Sequence, residues 1–564
     1  MKIINNILIH PSIILRLIKI CNLSKKKIVF FLIPYYLITI IFVLIDGIAM
    51  MILIGCFTNG FTLSSHVHLP PILNYILSYI IDIDNSSSLI FLLLFLFFIV
   101  LFLRILIYFT DGFVAATFRE KIQKNVFLKY LNSDWLYLNT LRIGNAIGTT
   151  TLESMTCAKY LSSSITTVYY FLSASVLAIL SLYTSFYVTL FMFLIVFPLI
   201  IFIILIFRIL AKISKKHAVL RNLSSANISD RFNGLLQIHT ENLFKYHFHK
   251  GMSQMPGLFR YEIITVICQG VIASFNYLVA IIILIALFFW TFFYGFNDIP
   301  SLGLIASIGV LGLKFAGNIN SLISMIGNLT RLSGSVYPVF SVFDLPLRKK
   351  RKFIKNKIIG VKLDKVNFDY KDFKLIKDLK FTIKPKKPII LKGRSGTGKT
   401  TIANLISGLL FPDSGDVYYF DSSEKFYSSK EYYCNIGYVT QDIYLFQGTL
   451  RENLCSGKDL SDEKIIQVLR QVDAYEFVKN MGGLDVESIE AGKDMSGGQK
   501  RRLGIAKILL KGADLLIFDE ITSGLDKTNK DMVLKIITKL SKSLSILIIS
   551  HEDFELEDSE VIKI

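Results

Sequence analysis

The chain has 564 residues, a formal charge of +19, 52% hydrophobic residues and a mean hydropathy of +0.53. That is too long for one ordinary domain and too apolar for a soluble enzyme, so a single soluble domain is excluded. The excess lies before about residue 345, and the remainder has the composition of a soluble α/β domain. The cysteines (Cys21, Cys56, Cys157, Cys268, Cys434 and Cys455) lack metal-ligand spacing and suggest neither a zinc site nor a disulfide framework. A basic balance suits either nucleic acid or a membrane surface, and the location of the charge decides between them.

Residues 1–27 carry Lys2, Arg16, Lys19, Lys25, Lys26 and Lys27, no acid, and apolar residues between them. They are expected to form a basic amphipathic segment on the membrane face. A signal peptide is disfavoured by the long apolar run that follows. A transmembrane domain is expected over 28–345. Spanning helices need about 20 apolar residues, and six segments qualify: 28–56, 88–110, 161–184, 186–208, 268–294 and 301–328. The third and fourth are parted by a tight turn near Thr184–Phe186, and Pro198 can kink the fourth.

Loops 57–87, 184–186 and 294–301 contain no Lys or Arg, whereas loops 111–160 and 209–262 contain many, including Arg119, Lys121, Lys124, Lys212, Lys215, Lys216 and Arg221. The positive loops face the cytoplasm, which places both termini there. The basic residues are then topology anchors, and no nucleic-acid partner is required. The two basic loops, each about 50 residues, are too long for hairpins. They are expected to extend the membrane helices into the cytoplasm. A basic run from Arg348 to Lys357 marks a linker, 346–357, read as solvated and close to anionic lipid.

From Ile358 to Ile564 the pattern changes to short strands (Val361–Phe368, Ile389–Leu391, Leu515–Phe518 and Ile546–Ile549) alternating with helical stretches. That is an α/β domain with a largely parallel sheet. Gly393-Arg394-Ser395-Gly396-Thr397-Gly398-Lys399-Thr400 follows the second strand, opens a helix at Thr401, and fits G-x-x-x-x-G-K-[ST]. Its glycines let backbone N–H groups approach phosphate, and the helix N-terminus adds positive potential. Lys399 is placed for the β- and γ-phosphates and Thr400 for Mg²⁺. Asp519 and Glu520 end an apolar strand. Asp519 is placed to bind Mg²⁺ through water, and Glu520 to act as general base or to orient a water. Ser496-Gly497-Gly498-Gln499 opens a second helix and forms a second anion site. A second such site is expected if the chain closes over ATP held by another molecule.

On these motifs the C-terminal half resembles an ABC-type nucleotide-binding domain, and the N-terminal half resembles an ABC exporter membrane domain. The resemblance, to an exporter-type half-transporter, covers nearly the whole chain and adds further roles. Tyr370, in Val366-Asn367-Phe368-Asp369-Tyr370, matches the aromatic that stacks on adenine. Gln441 matches the glutamine that senses Mg²⁺ and the membrane domain, counted here with the catalytic and metal-site residues. Met495 stands where leucine usually precedes the Ser496–Gln499 signature. Glu490 sits where the family has a coupling acid. Ser523-Gly524-Leu525-Asp526 matches the D-loop, with Gly524 for the usual alanine, and His551 matches the switch histidine.

Thirteen residues follow His551. Glu560–Ile564 can form a last strand, and the family's C-terminal helix is not expected. No protease-like domain is expected before the first span. The resemblance implies a homodimer in which ATP held by residues 393–401 of one copy is closed by 496–499 of the other. Asp134–Asn139 and Leu236–Asn242 would pass the motion to the membrane helices. Lys314, Asp46 and Arg104 are costly charges inside spans. They mark either a cavity that accepts an anionic group, with Lys314 facing it, or structural ion pairs and snorkelling side chains. The aromatic and aliphatic spans suit an amphipathic cargo. A small peptide, a lipid or lipid-linked glycan and a hydrophobic toxic compound all stay open, as does a heterodimer with a second half-transporter.

Overall fold

The computed structural model describes residues 11–21, 25–58, 86–184, 186–294, 302–370, 373–394, 396–441, 443–487, 495–552, 554 and 556–564. The chain divides into two compact units: Met1–Ser133 with Thr140–Pro346, and Asp134–Asn139 with Leu347–Ile564.

The first unit is helical. A short helix α1 (Pro11–Ile20) precedes six long ones, α2 (Lys25–Thr58), α3 (Ser86–Leu131), α4 (Ser154–Thr184), α5 (Phe186–Asn233), with a short α6 (Leu235–Thr240) before α7 (Met255–Tyr294) and α8 (Leu302–Leu332), then α9 (Val336–Phe343). The six long helices take up the six apolar segments expected from sequence, the last from residue 302. Two described stretches, Ile90–Leu131 and Phe244–Ser274, are long and apolar enough to cross a bilayer, and Ile33–Ala49 is a shorter apolar helix. The 46 residues of α3 and 48 of α5 run about 70 Å at 1.5 Å per residue, against a hydrocarbon core of about 30 Å. The long basic loops are thus largely helix. Pro34 lies inside α2, and α5 runs through Pro198, whose side chain lies outside the described residues. The loops 59–85 and 295–301 also lie outside the described residues, as does the side chain of Cys56.

Helix α1 forms, but its apolar face covers protein. Leu17 is fully buried in a core with Ile122, Leu161 and Val339. Arg16 pairs with Asp344 and lies over the Phe340 ring at 4.3 Å, and Asn125 Nδ2 donates to the Ile20 carbonyl at 2.7 Å. Leu15 is left exposed. A second core joins Phe207 and Leu210 of α5 to Ile272 of α7 and Ile323 of α8.

One buried ion pair locks three elements of this unit. Glu153, with a fully buried side chain, ends a π-helical turn, Thr149–Glu153, that leads into α4. Arg221 of α5 grips it through Nη2, 2.8 Å from both carboxylate oxygens, and through Nε at 3.1 Å. Arg221 Nη2 also donates to Ser335 Oγ, between α8 and α9, at 3.0 Å.

Among the described residues the second unit has two large sheets where the sequence indicated one, and a small two-stranded one that pairs Lys352–Phe353 with Tyr432–Tyr433. The parallel sheet contains β3 (Ile389–Lys392), β6 (Ile436–Val439), β7 (Leu515–Asp519), β8 (Ser545–Ser550) and β9 (Glu560–Lys563), in the order β9-β3-β8-β7-β6. An antiparallel sheet contains β1 (Ile358–Tyr370), β2 (Phe373–Ile383), β4 (Ser414–Asp421) and β5 (Phe426–Ser428), in the order β2-β1-β4-β5. Alternation marks β1 as half-buried, and its partners read more weakly because Lys and Asp interrupt them. Three helices complete the frame of the site: α10 (Lys399–Ile406), α11 (Gly497–Lys511) and α12 (Lys527–Ser541).

Truncating one member of the buried ion pair strands a charge, at about 3–5 kcal/mol. Arg221→Ala is therefore expected to lower the apparent Tm of the detergent-purified chain markedly, with Ser335→Ala changing it little. Equal Tm values for wild type and Arg221→Ala would remove the pair from the account.

Candidate functional site

The site assembles at the carboxyl edge of the parallel sheet. Strand β8 pairs on one side with β3 and on the other with β7, so Ile549 faces both Leu391 and Asp519. The residues that follow these three positions converge: the loop from Gly393, Glu520, and His551.

The phosphate-binding loop takes shape from its glycines. Gly396 and Gly398 have φ of 85° and 96°, a region that side chains rarely adopt. A Cβ on Gly393 would lie 2.6 Å from the Ile564 carbonyl oxygen, whereas at Gly396 it would meet nothing within 4 Å, so the loop is open there. Lys399, at the start of α10, is buried. Its Nζ donates to the carbonyls of Gly393 and Arg394 at 2.8 and 2.9 Å and lies 3.3 Å from His551 Nδ1. Among the described residues it forms no ion pair. A buried ammonium held by carbonyls and lacking an anion is the chemistry a phosphate completes. Thr397 packs its hydroxyl on the Arg394 carbonyl, Thr401 is buried one residue into the helix beyond Thr400, and Ser395 lies outside the described residues.

Beside Lys399, Thr400 Oγ1 donates to Asp519 Oδ2 at 3.3 Å, and Tyr438 Oη donates to the same oxygen at 3.1 Å. Burial raises the Asp519 pKa from its ordinary value, against the two hydroxyl donors. Burial and Asp519 raise that of Tyr438, which stays a donor. Among the described residues no cluster of three or more His, Cys, Asp or Glu makes a metal cage. The oxygen donors of Thr400 and Asp519 suit a hard cation whose shell is completed by water and phosphate. Tyr438 was missed from sequence. Its signal lay in register, since it pairs with Ile517 across β6 and β7, two residues short of Asp519.

Glu520 sits at φ 52°, a left-handed conformation that costs a side chain about 1–2 kcal/mol. Its N–H donates to the Ile549 carbonyl at 2.9 Å, and its carbonyl accepts from Ser523 N at 3.1 Å. The side chain pairs with His551 Nε2, and His551 Nδ1 lies 3.2 Å from the Gly393 carbonyl. Glu520, His551, Gly393 and Lys399 thus form one connected set.

Ser496 caps α11. Its Oγ accepts from Gln499 N at 3.3 Å, and Gln499 Oε1 accepts from Ser496 N at 2.9 Å. This capping box was written in the Ser-x-x-Gln spacing and was not used in the sequence reading. Met495 is buried in the core behind it, and a Cβ on Gly498 would lie 2.6 Å from Asn529 Oδ1 of α12. Gly497 and Ser496 are exposed. Gly524 has φ 69°, which suits glycine in place of alanine, and Asp526 stands at the N-cap of α12. Tyr370 ends β1, part-exposed, with its ring edge-on to Phe368 at 4.9 Å. Gln441 lies exposed beyond β6 and outside the connected set. Glu490 lies outside the described residues.

Residues 376–523 match the family model described as ABC transporter. That stretch of the chain is similar to the ATPase domain of ABC transporters. Among curated relatives the chain is 32% identical over 219 residues to an uncharacterized ABC transporter ATP-binding protein of Haemophilus influenzae, 38% of this chain and 39% of that one. It is 37% identical over 194 residues to another from Sinorhizobium fredii, 34% and 33% of the two chains. An ATP-dependent lipid A-core flippase of Francisella tularensis is 28% identical over 254 residues, 43% of this chain and 42% of the relative. Each match spans less than half of the relative's length. The family match takes in the phosphate loop, Gln441, the 496–499 signature and the Asp519–Glu520 pair.

Two outcomes follow. Tyr438→Phe removes a donor to Asp519, and the Mg²⁺ concentration for half-maximal ATPase is expected to rise by about 10-fold; an unchanged Mg²⁺ titration would take Tyr438 out of the site. Ser496→Ala removes the α11 cap and is expected to cost about 1 kcal/mol in unfolding stability, read by thermal denaturation.

Proposed function

We propose that the chain is an ATP-driven exporter or flippase of an amphipathic substrate, possessing six membrane spans, a cytoplasmic ATPase domain and a homodimeric working form in the cytoplasmic membrane. The observation that carries this reading is the convergence of Lys399, Thr400, Asp519, Glu520 and His551 at one sheet edge. The fusion of that domain to a unit of long apolar helices supports transport over a soluble ATPase role.

Bound ATP with Mg²⁺ supplies the scissile phosphoryl bond and the charge that the site answers. Lys399 and the N–H groups of residues 393–401 hold phosphate oxygens. Thr400 and Asp519 would hold the metal, and the family resemblance would add Gln441 to them. Glu520 accepts a proton from, or orients, the attacking water, and its backbone strain and His551 fix its carboxylate. Tyr370 offers its ring to the adenine base.

In a dimer, Ser496–Gln499 and Asp526 of a second copy close the site. Closure favours one conformation of the membrane helices through differential binding. Two short helices would transmit it: Trp135–Leu138, capped by Asp134, whose Oδ1 accepts from Leu136 N at 3.0 Å, and α6. Leu236 of α6 is 80% exposed in the single chain, a large apolar side chain that a second copy would cover. The presence of Glu520, Gln441 and His551 in one chain supports two equivalent sites and hence a homodimer over a heterodimer. A lipid or lipid-linked glycan flippase is the second reading, favoured by the similarity to the Francisella lipid A-core flippase.

The test is ATPase activity in lipid for wild type and Glu520→Gln, with peptides, lipid-linked glycans and hydrophobic drugs added in turn. Wild type is expected to hydrolyse ATP, Glu520→Gln to lose at least about 100-fold, roughly 2.7 kcal/mol in barrier, and one cargo class to stimulate. Inactive wild type in sound lipid would reject the homodimer.

A further inference from the structure

The first unit holds a half-open cavity of about 940 Å³ between α2, α3, α4 and α8, a size that suits a drug-sized amphiphile. Each helix gives it one face. Arg104, Tyr108 and Asp111 of α3 line it at helical spacing, as do Thr166, Tyr169 and Tyr170 of α4.

The described lining carries three charged residues, Asp46, Arg104 and Asp111. Two of the three are acids and one is a base. Asp111 stands seven residues from Arg104, about 10 Å along the helix axis. Its one protein partner among the described residues is the Thr166 hydroxyl, which donates to it at 3.3 Å, and it forms no ion pair among them. The balance is thus one carboxylate in excess. The Lys314 side chain, which the sequence put toward the cavity, lies outside the described residues.

Two further observations point to a ligand. Tyr35 lines the cavity at 1% exposure, and its hydroxyl, near Thr166, makes no hydrogen bond within 3.5 Å among the described residues. A partnerless hydroxyl is costly in an apolar wall unless a ligand or water meets it. The wall is also aromatic, and rings beside a carboxylate make a site for an organic cation.

We propose that this cavity binds an amphipathic cation, a protonated amine or guanidinium on an apolar body, with Asp111 as its counter-ion. A carboxylate in this setting is stabilised by a charge that arrives with the ligand. The rings take the apolar body and the face of the cation. The proposal rests on the transporter reading above and names its substrate class.

The test separates the two by measuring binding without nucleotide, in neutral phosphatidylcholine nanodiscs, on the full chain. A dansylated long-chain amine is compared by fluorescence anisotropy with its alcohol and carboxylate counterparts. A short amphipathic peptide with one lysine, set against its acetyl-lysine form, tells a peptide cation from a small amine. Wild type is expected to bind amine over alcohol by about 10-fold. Asp111→Asn should reduce that preference to within about twofold, and Asp111→Glu should keep it. Arg104→Gln, which removes the neighbouring positive charge, should widen it, and this variant decides the matter if Asp111→Asn does not fold. Equal binding of amine and alcohol to wild type, preference for the carboxylate, no binding of any probe, or an undiminished preference in Asp111→Asn would each overturn the proposal. An inactive ATPase with intact amine preference would reject the transporter reading and leave the site standing.

Discussion

The parallel pairing of β8 between β3 and β7 is the constraint on which the nucleotide site depends. Because Ile549 lies in one row with Leu391 and Asp519, three segments far apart in sequence leave the sheet at the same level and on the same edge. A slip of one residue on either side would turn alternate side chains to the opposite face and part His551 from Glu520 and Lys399. The strands themselves are fully buried, so hydrophobic burial on both faces sets the register that the chemistry needs.

Within that frame the polar groups are arranged under tension. Lys399 is buried and takes its contacts from carbonyls and a histidine. Glu520 is held in a left-handed conformation by hydrogen bonds to its own backbone. A buried ammonium and a left-handed carboxylate residue both cost free energy, which is the pattern of a site shaped for a ligand. In the helical unit polar groups are used differently. Glu153 and Arg221 satisfy each other and tie α4, α5 and the α8–α9 junction together, whereas the carboxylate of Asp111 faces a cavity with the Thr166 hydroxyl as its one partner among the described residues.

The nucleotide half was largely legible because its signals are local. The loop from Gly393 to Thr400 needs glycine at positive φ and a lysine at the helix start, and both requirements are written in adjacent residues. The strands at 389, 515 and 546 read correctly because buried parallel strands are continuous apolar runs. What escaped was information carried by pairing. Tyr438 became visible only when β6 was set beside β7, and the antiparallel sheet was hidden because β1 finds its partners β2 and β4 on either side of the phosphate loop. In the helical half, composition located the long helices, since apolar runs need no long-range information. It could not tell that α1 packs Leu17 against protein, nor that Glu153 and Arg221, sixty-eight positions apart, are one structural pair. Asp46 and Arg104 were noticeable as charges among apolar residues, and their place on one cavity wall followed from helix packing alone.

We propose that a second copy completes the ATP site through the exposed Ser496–Gly497 helix start. The most direct measurement is disulfide formation in a chain bearing Ser395→Cys, Ser496→Cys and Glu520→Gln, with its native cysteines replaced, reconstituted in lipid and oxidised with and without ATP. The account predicts a band of twice the chain mass that forms with ATP and Mg²⁺ and fades without them. A chain that stays monomeric under oxidation while binding ATP would contradict it.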